Sequence, residues 1–123
     1  MTKSTIKITS SNCQGLRDIK KRFDVLNFLN NMGSDIICLQ DTHWLTEDKK
    51  NIKKQWSGEC FLNGTKTNSR GVAILISKNF EYYVSSVKTD DLGNYISILL
   101  TLSDLKIRLV NIYAPNSDTH TVF

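Results

Sequence analysis

Residues 36–39 read Ile-Ile-Cys-Leu, a short apolar run with no polar residue breaking it. Such a run suits a strand covered on both faces, which requires helices or a second layer above and below its sheet. Just upstream, Ile19, Phe23, Leu26, Leu29 and Met32 recur at helical spacing, and Gly33 supplies the stop. Residues 72–76, Val-Ala-Ile-Leu-Ile, form a second run of the buried kind. The rest is organised around these two runs. Residues 6–10 alternate as a strand and enter a polar loop. Residues 46–56 are expected to form a lysine-rich helix, with Glu47 and Asp48 in its first turn to suit the helix dipole. Residues 59–62 suit a strand and 63–70 a polar loop. Residues 80–88, 95–102 and 105–113 then read as three successive strands, joined by turn-like segments at 90–94 and 103–104. Helices alternate with strands early and a meander follows, so the expected fold class is a layered α/β protein with a mixed sheet.

Apolar residues are 40% of the 123, which supplies one core and one domain. No apolar run approaches the ~18 residues of a membrane span. The polar first residues do not read as a signal peptide. An intracellular protein, nuclear or cytoplasmic, with no membrane partner is expected. The net charge of +4 permits a polyanionic partner without demanding one. Cys13, Cys38 and Cys60 are an odd set with no CxxC pair, which argues against zinc and for buried free thiols.

Polar residues at strand ends build sites in layered α/β proteins. Here Asn12 and Gln14 follow the first strand, and Gln40, Asp41 and His43 follow the second. Arg70 precedes the third, and Tyr113 and Asn116 follow the last. Oxygen donors of Asn and Asp suit a hard cation such as Mg²⁺. Plainer readings stand beside this one. Asp41 also suits a loop cap, Asn12 an Asx-turn, and His43 a hydrogen-bonded surface histidine. The lysines at 49, 50, 53 and 54 suit a solvated helix face.

Four segments occur in order: Ser11-Asn12-Cys13-Gln14-Gly15-Leu16, Ile37-Cys38-Leu39-Gln40-Asp41-Thr42-His43, Arg70-Gly71-Val72-Ala73-Ile74-Leu75 and Asn111-Ile112-Tyr113-Ala114-Pro115-Asn116. Together they resemble the endonuclease/exonuclease/phosphatase superfamily, above all the apurinic-endonuclease-like domains of LINE-type retrotransposons and exonuclease III-type enzymes. The resemblance implies a layered α/β sandwich of that type, with only its N-terminal half present in residues 1–123, as one mixed sheet and about two helices. It implies Mg²⁺-dependent (or Mn²⁺-dependent) hydrolysis of DNA phosphodiesters. Asn12, Asp41 and Tyr113 match catalytic positions, with Asp41 and Asn12 toward the metal. Arg17, His43, Arg70 and Asn116 fall on the DNA-contacting rim.

Two departures qualify what the resemblance implies. Asp41 stands where such enzymes usually carry Glu, which retracts the carboxylate by roughly one carbon–carbon bond, about 1.5 Å. The segments that bring the water-activating aspartate and the final histidine do not follow Pro115. The chain alone is therefore expected not to cleave DNA, and to be a truncated domain whose other half is missing. It is also expected to expose the inner face of its sheet, at Val72, Ile74, Ile98, Leu100, Leu109 and Ile112, and so to be poorly soluble. Two other functions remain open: a non-catalytic nucleic-acid-binding remnant, and a phosphatase of small phosphorylated substrates.

Overall fold

The computed structural model describes residues 5–64 and 69–114. In chain order it contains β1 (Ile8–Asn12), α1 (Ile19–Asn31), β2 (Ile36–Gln40), a 3-10 turn (Thr46–Asp48), α2 (Lys49–Ile52), β3 (Glu59–Asn63), β4 (Val72–Ile76), β5 (Tyr83–Thr89), β6 (Tyr95–Leu102) and β7 (Leu105–Ile112).

These strands form two sheets rather than one. A mixed sheet has the order β1-β2-β4-β3, with β1 parallel to β2 and the other neighbours antiparallel. An antiparallel sheet has the order β5-β6-β7. The two pack face to face: β7 lies across β2 and β4, and β6 across β4 and β3. Both central runs are buried on both faces, as their unbroken apolar character requires. One side of the mixed sheet meets α1 and α2 through Ile37, Leu39, Ala73 and Leu75. Its other side meets the second sheet through Ile36, Cys38, Val72, Ile74 and Ile76.

This pairing corrects the expectation of an exposed inner face. Val72, Ile74, Ile98 and Leu100 are buried between the sheets, and Leu109 is half-buried against them. Only Ile112 is exposed, because it sits at the opposite parity of β7 and points outward. The meander read from the sequence is the second layer itself, so the apolar surface of β4 already has its cover.

Three element boundaries also shift. β1 runs two residues later than its alternation suggested, because the parallel ladder with β2 extends through the pair Asn12–Gln40. Asn12 is thus the last strand residue. The lysine-rich segment is a 3-10 turn and one α-helical turn rather than a helix over 46–56. Only Ile52 and Trp56 in it are buried, too little apolar surface to hold a longer helix against the core. β5 starts at Tyr83, and Phe80 instead closes the end of the inter-sheet core, its ring beside that of Tyr82.

The helix α1 is present over nearly its expected span, capped by Asp18, whose carboxylate accepts from the Lys21 amide at 2.8 Å. Its buried arc differs from the one read from spacing. Leu26 and Leu29 are buried, whereas Ile19, Phe23 and Met32 are exposed. Arg22 takes the expected apolar place, its guanidinium donating to the Gln55 side chain, and burial lowers its pKa.

Cys13, Cys38 and Cys60 are free and buried, and burial pushes each thiol up from 9.0 to about 11. The folded pKa lies above the unfolded one, so the stabilisation is complete below pH 9 and is lost as the pH rises toward 11. We expect the thermal midpoint to fall over that window and the thiols to resist alkylation at neutral pH until the chain unfolds. A flat melting profile from pH 9 to 11 would contradict this.

Candidate functional site

The strand directions bring one set of loops to one end of the sandwich. β1, β2 and β3 end there, β4 and β6 begin there, and β7 ends there. Backbone hydrogen bonds then lace the loops in series. Gly15 and Leu16 amides donate to the Asp41 and Thr42 carbonyls at 2.7 and 2.8 Å. Thr42 and His43 amides donate to the Gly71 and Arg70 carbonyls at 3.0 and 2.7 Å. The Gly71 amide donates to Gly93 at 2.8 Å, and the Tyr113 amide to Asn94 at 2.8 Å. Asn12, Asp41, His43, Arg70 and Tyr113 therefore stand on one connected rim. Arg17 follows it immediately, its guanidinium 3.5 Å from the Asp48 carboxylate. Asn116 lies outside the described residues.

The rim is conformationally unusual. Gln14, Asp41, His43 and Arg70 all have left-handed backbones, with φ between 52° and 65°. Residues with side chains rarely adopt this region, and clusters of them persist only where surrounding structure holds them. Here the backbone hydrogen bonds between the loops do so. Gly71, at φ 93°, lets its chain lie against Thr42: a Cβ there would fall 2.6 Å from the Thr42 hydroxyl. Gly15 does the same under His43, where a Cβ would meet Nδ1 at 2.7 Å.

His43 Nε2 and Asp41 Oδ1 are 2.8 Å apart and hydrogen-bonded. The other Asp41 oxygen makes no hydrogen bond among the described residues. Asp90, a second carboxylate at this end, is committed elsewhere: its Oδ1 accepts from Asn63 Nδ2 at 2.7 Å and from the Asn94 and Tyr95 amides. The described residues contain no group of three His, Cys, Asp or Glu placed to hold a metal. Two grooves, of about 340 and 380 Å³, lie away from this rim, beside α1 and between β3 and β5.

Sequence reasoning passed over the group that ties the rim together. Asn111 is buried within β7. Its Nδ2 donates to the Leu39 and Ala73 carbonyls at 3.0 and 2.8 Å, and its Oδ1 accepts from Gln40 Nε2 at 2.8 Å. Gln40 Nε2 also lies 2.9 Å from Ser10 Oγ. The Asn111 amide thus joins both sheets: it bonds Gln40, the residue before Asp41, and stands two residues before Tyr113. Parity was the available signal: Ile107, Leu109 and Asn111 share the inward face of β7, where a polar residue needs buried partners.

No protein-family model matches the chain. Over 112 residues it is 30% identical to the transposon TX1 uncharacterized 149 kDa protein of Xenopus laevis, a match spanning 91% of this chain and 9% of that protein. Its structure is similar to AP endonuclease LMAP from Leishmania major, with TM-score 0.71 and 20% identity. It is also similar to the endonuclease domain of TRAS1, a telomere-specific non-LTR retrotransposon, with TM-score 0.65 and 12% identity. This is the endonuclease/exonuclease/phosphatase fold. The 3′ phosphatase NExo from Neisseria, bound to a product DNA hairpin, has it as well, with TM-score 0.65 and 24% identity. The three matches cover 93%, 93% and 89% of this chain but 41%, 48% and 41% of the solved chains. The chain thus spans less than half the length of each of these three solved chains, and a tenth or less of the transposon protein. Among the described residues no helix is long and apolar enough to cross a membrane.

Proposed function

We propose that this chain is the first half of a metal-dependent hydrolase of DNA phosphodiesters, of the retrotransposon endonuclease kind, and that it does not cleave DNA by itself. The observation carrying this reading is the laced rim on which Asp41, His43, Asn12, Arg70 and Tyr113 meet. The names of the similar proteins, a transposon protein, two endonucleases and a DNA-bound 3′ phosphatase, support DNA as the substrate.

The donor set fits Mg²⁺ or Mn²⁺ as part of a site. Mg²⁺ is commonly held by one or two carboxylates together with substrate phosphate and water. Asp41 offers one carboxylate oxygen with no protein partner among the described residues, and His43 orients the other. Asn12 ends the neighbouring strand beside Gln40. A cation bound there supplies Lewis-acid stabilisation of charge on the phosphate. Arg70 and Arg17 supply charge toward the DNA backbone, and Tyr113 a hydroxyl toward the phosphate. Contacts of this kind add affinity and salt dependence rather than sequence choice.

Fluorescence anisotropy with a labelled duplex tests the reading. We expect affinity to fall as salt rises, and to gain about tenfold from Mg²⁺ at constant ionic strength. Asp41→Ala should abolish the Mg²⁺ gain and leave the salt-dependent part. A Mg²⁺ gain that survives Asp41→Ala would remove Asp41 from the site. Salt-dependent binding without a Mg²⁺ gain would favour the nucleic-acid-binding remnant. Plasmid nicking by the chain alone, lost in Asp41→Ala, would overturn its incompleteness.

A further inference from the structure

The lysine-rich segment does more than solvate the surface. Residues 53–57 and α1 enclose a groove of about 340 Å³. Its apolar lining is Phe23, 52% exposed, together with Leu26 and Trp56, which are buried. Ile19, one turn before Phe23, is exposed and extends the same stripe of α1. Hydrogen bonds fix the two walls in place. Gln55 Oε1 accepts from the Arg22 guanidinium, and Gln55 Nε2 donates to the Ile19 carbonyl at 3.2 Å. Trp56 Nε1 donates to the Ile76 carbonyl at 3.3 Å, which holds the segment to β4. Lys53 Nζ donates to the Gly58 carbonyl at 3.0 Å. The groove is thus formed in advance, as binding sites usually are. Its polar lining is uncommitted. The side chains of Asn27, Asn30 and Lys54 make no hydrogen bond or ion pair among the described residues. Residues 49–58 hold Lys49, Lys50, Lys53 and Lys54 and no acidic residue. Asp24, the acidic residue of α1, is paired with Lys20 at 2.9 Å. The positive charge at the groove therefore has no carboxylate partner on either wall among the described residues.

We infer that the groove between α1 and residues 53–57 docks an acidic peptide segment of a partner protein, anchored by one large apolar side chain. Charge complementarity names the occupant: carboxylates on the segment supply what Lys53 and Lys54 lack. A side-chain amide presents one donor group and one acceptor, the pair that a peptide backbone also presents. Asn27 and Asn30 can therefore bond the segment's main chain, while Phe23, Leu26 and Trp56 receive its apolar side chain. A nucleic-acid strand fits this groove less well. Single strands are held by stacking successive bases on exposed aromatic faces. Here Phe23 is the one open ring, the Trp56 indole being 4% exposed. The groove lies away from the Asp41 rim, so a partner seated in it leaves the rim accessible. The inference rests on the groove alone and stands whatever the rim binds.

The probe is a fluorescein-labelled peptide of aspartate and glutamate with one central phenylalanine, titrated with the whole chain and read by fluorescence anisotropy. We expect saturable binding that weakens as salt rises. Phe23→Gln and Lys54→Glu change exposed side chains and should each weaken it about tenfold, with the thermal midpoint unchanged. A peptide with serine in place of the phenylalanine should lose a similar factor. Asn30→Ala, a third exposed change, should also weaken binding and decides the case if either midpoint falls. No binding below about 1 mM, equal binding of the serine peptide, or indifference to the variants would each overturn the inference and leave a solvated lysine face. Displacement of the peptide by a thymidine oligonucleotide at a lower concentration than the unlabelled peptide needs would overturn it too, and make the groove a nucleic-acid site.

Discussion

Trp44→Ala is expected to cost about 4 kcal/mol, near the middle of the range for emptying a fully buried aromatic site. The indole is completely buried beside the first loop, and its Nε1 donates to the Leu16 carbonyl at 2.8 Å. Removing it opens a cavity among the loops that carry Asp41 and His43 and leaves the Leu16 carbonyl unpaired. A small domain has only about 5–15 kcal/mol in total, so the variant should be close to unfolded at physiological temperature. Urea unfolding followed by circular dichroism measures the loss directly. A loss under about 1 kcal/mol would mean that the loops collapse around the space, contrary to the backbone lacing that holds them.

Asn111→Ala is expected to cost about 3 kcal/mol, although it deletes few atoms. The loss comes from what stays behind. Two carbonyls, of Leu39 and Ala73, lose their donor, and Gln40 Nε2 loses an acceptor, all in the seam between the sheets. Unpaired buried polar groups cost more than the hydrogen bonds gain on average. For a chain of this size the thermal midpoint should drop by roughly 10–15 °C. Asn111→Asp keeps the acceptor and the shape but removes the two donated bonds and buries a charge, so at neutral pH it should be no better. A midpoint unchanged in both variants would show that water satisfies the seam, and the amide would then not be what joins Asp41 to Tyr113.

Much of the layer plan was legible because burial writes itself into local composition. The runs at Ile36 and Val72 have no polar residue, and a strand covered on both faces tolerates none. The helix α1 announced itself by spacing, yet spacing misjudged its buried arc. Ile19 and Phe23 fit the periodicity and face solvent, while Arg22 goes inside because Gln55, distant in sequence, accepts its bond. The lysine-rich segment falls short of the expected helix for a related reason. Its helix has little core to pack on, and that deficit is visible only once Ile52 and Trp56 are seen to be its buried contributions.

The candidate site divides in the same way. Its residue types and their places at strand ends came from the sequence, through motifs that each put a polar group where a strand stops. Their convergence did not. The parallel pairing of β1 with β2 places Asn12 beside Gln40, and the antiparallel return of β4 brings Arg70 against His43. The division of seven strands into two sheets was decided by the tertiary structure alone. Local patterns specify that a strand has a buried face, but not which other strand buries it. The cover for Val72 and Ile74 comes from Ile98 and Leu100, on a layer reached only after the chain has crossed over. The left-handed backbones at Asp41, His43 and Arg70 belong to the same class. Asp and His tolerate that region better than most residues, but no local pattern requires it, and the three are held there by hydrogen bonds between loops far apart in sequence.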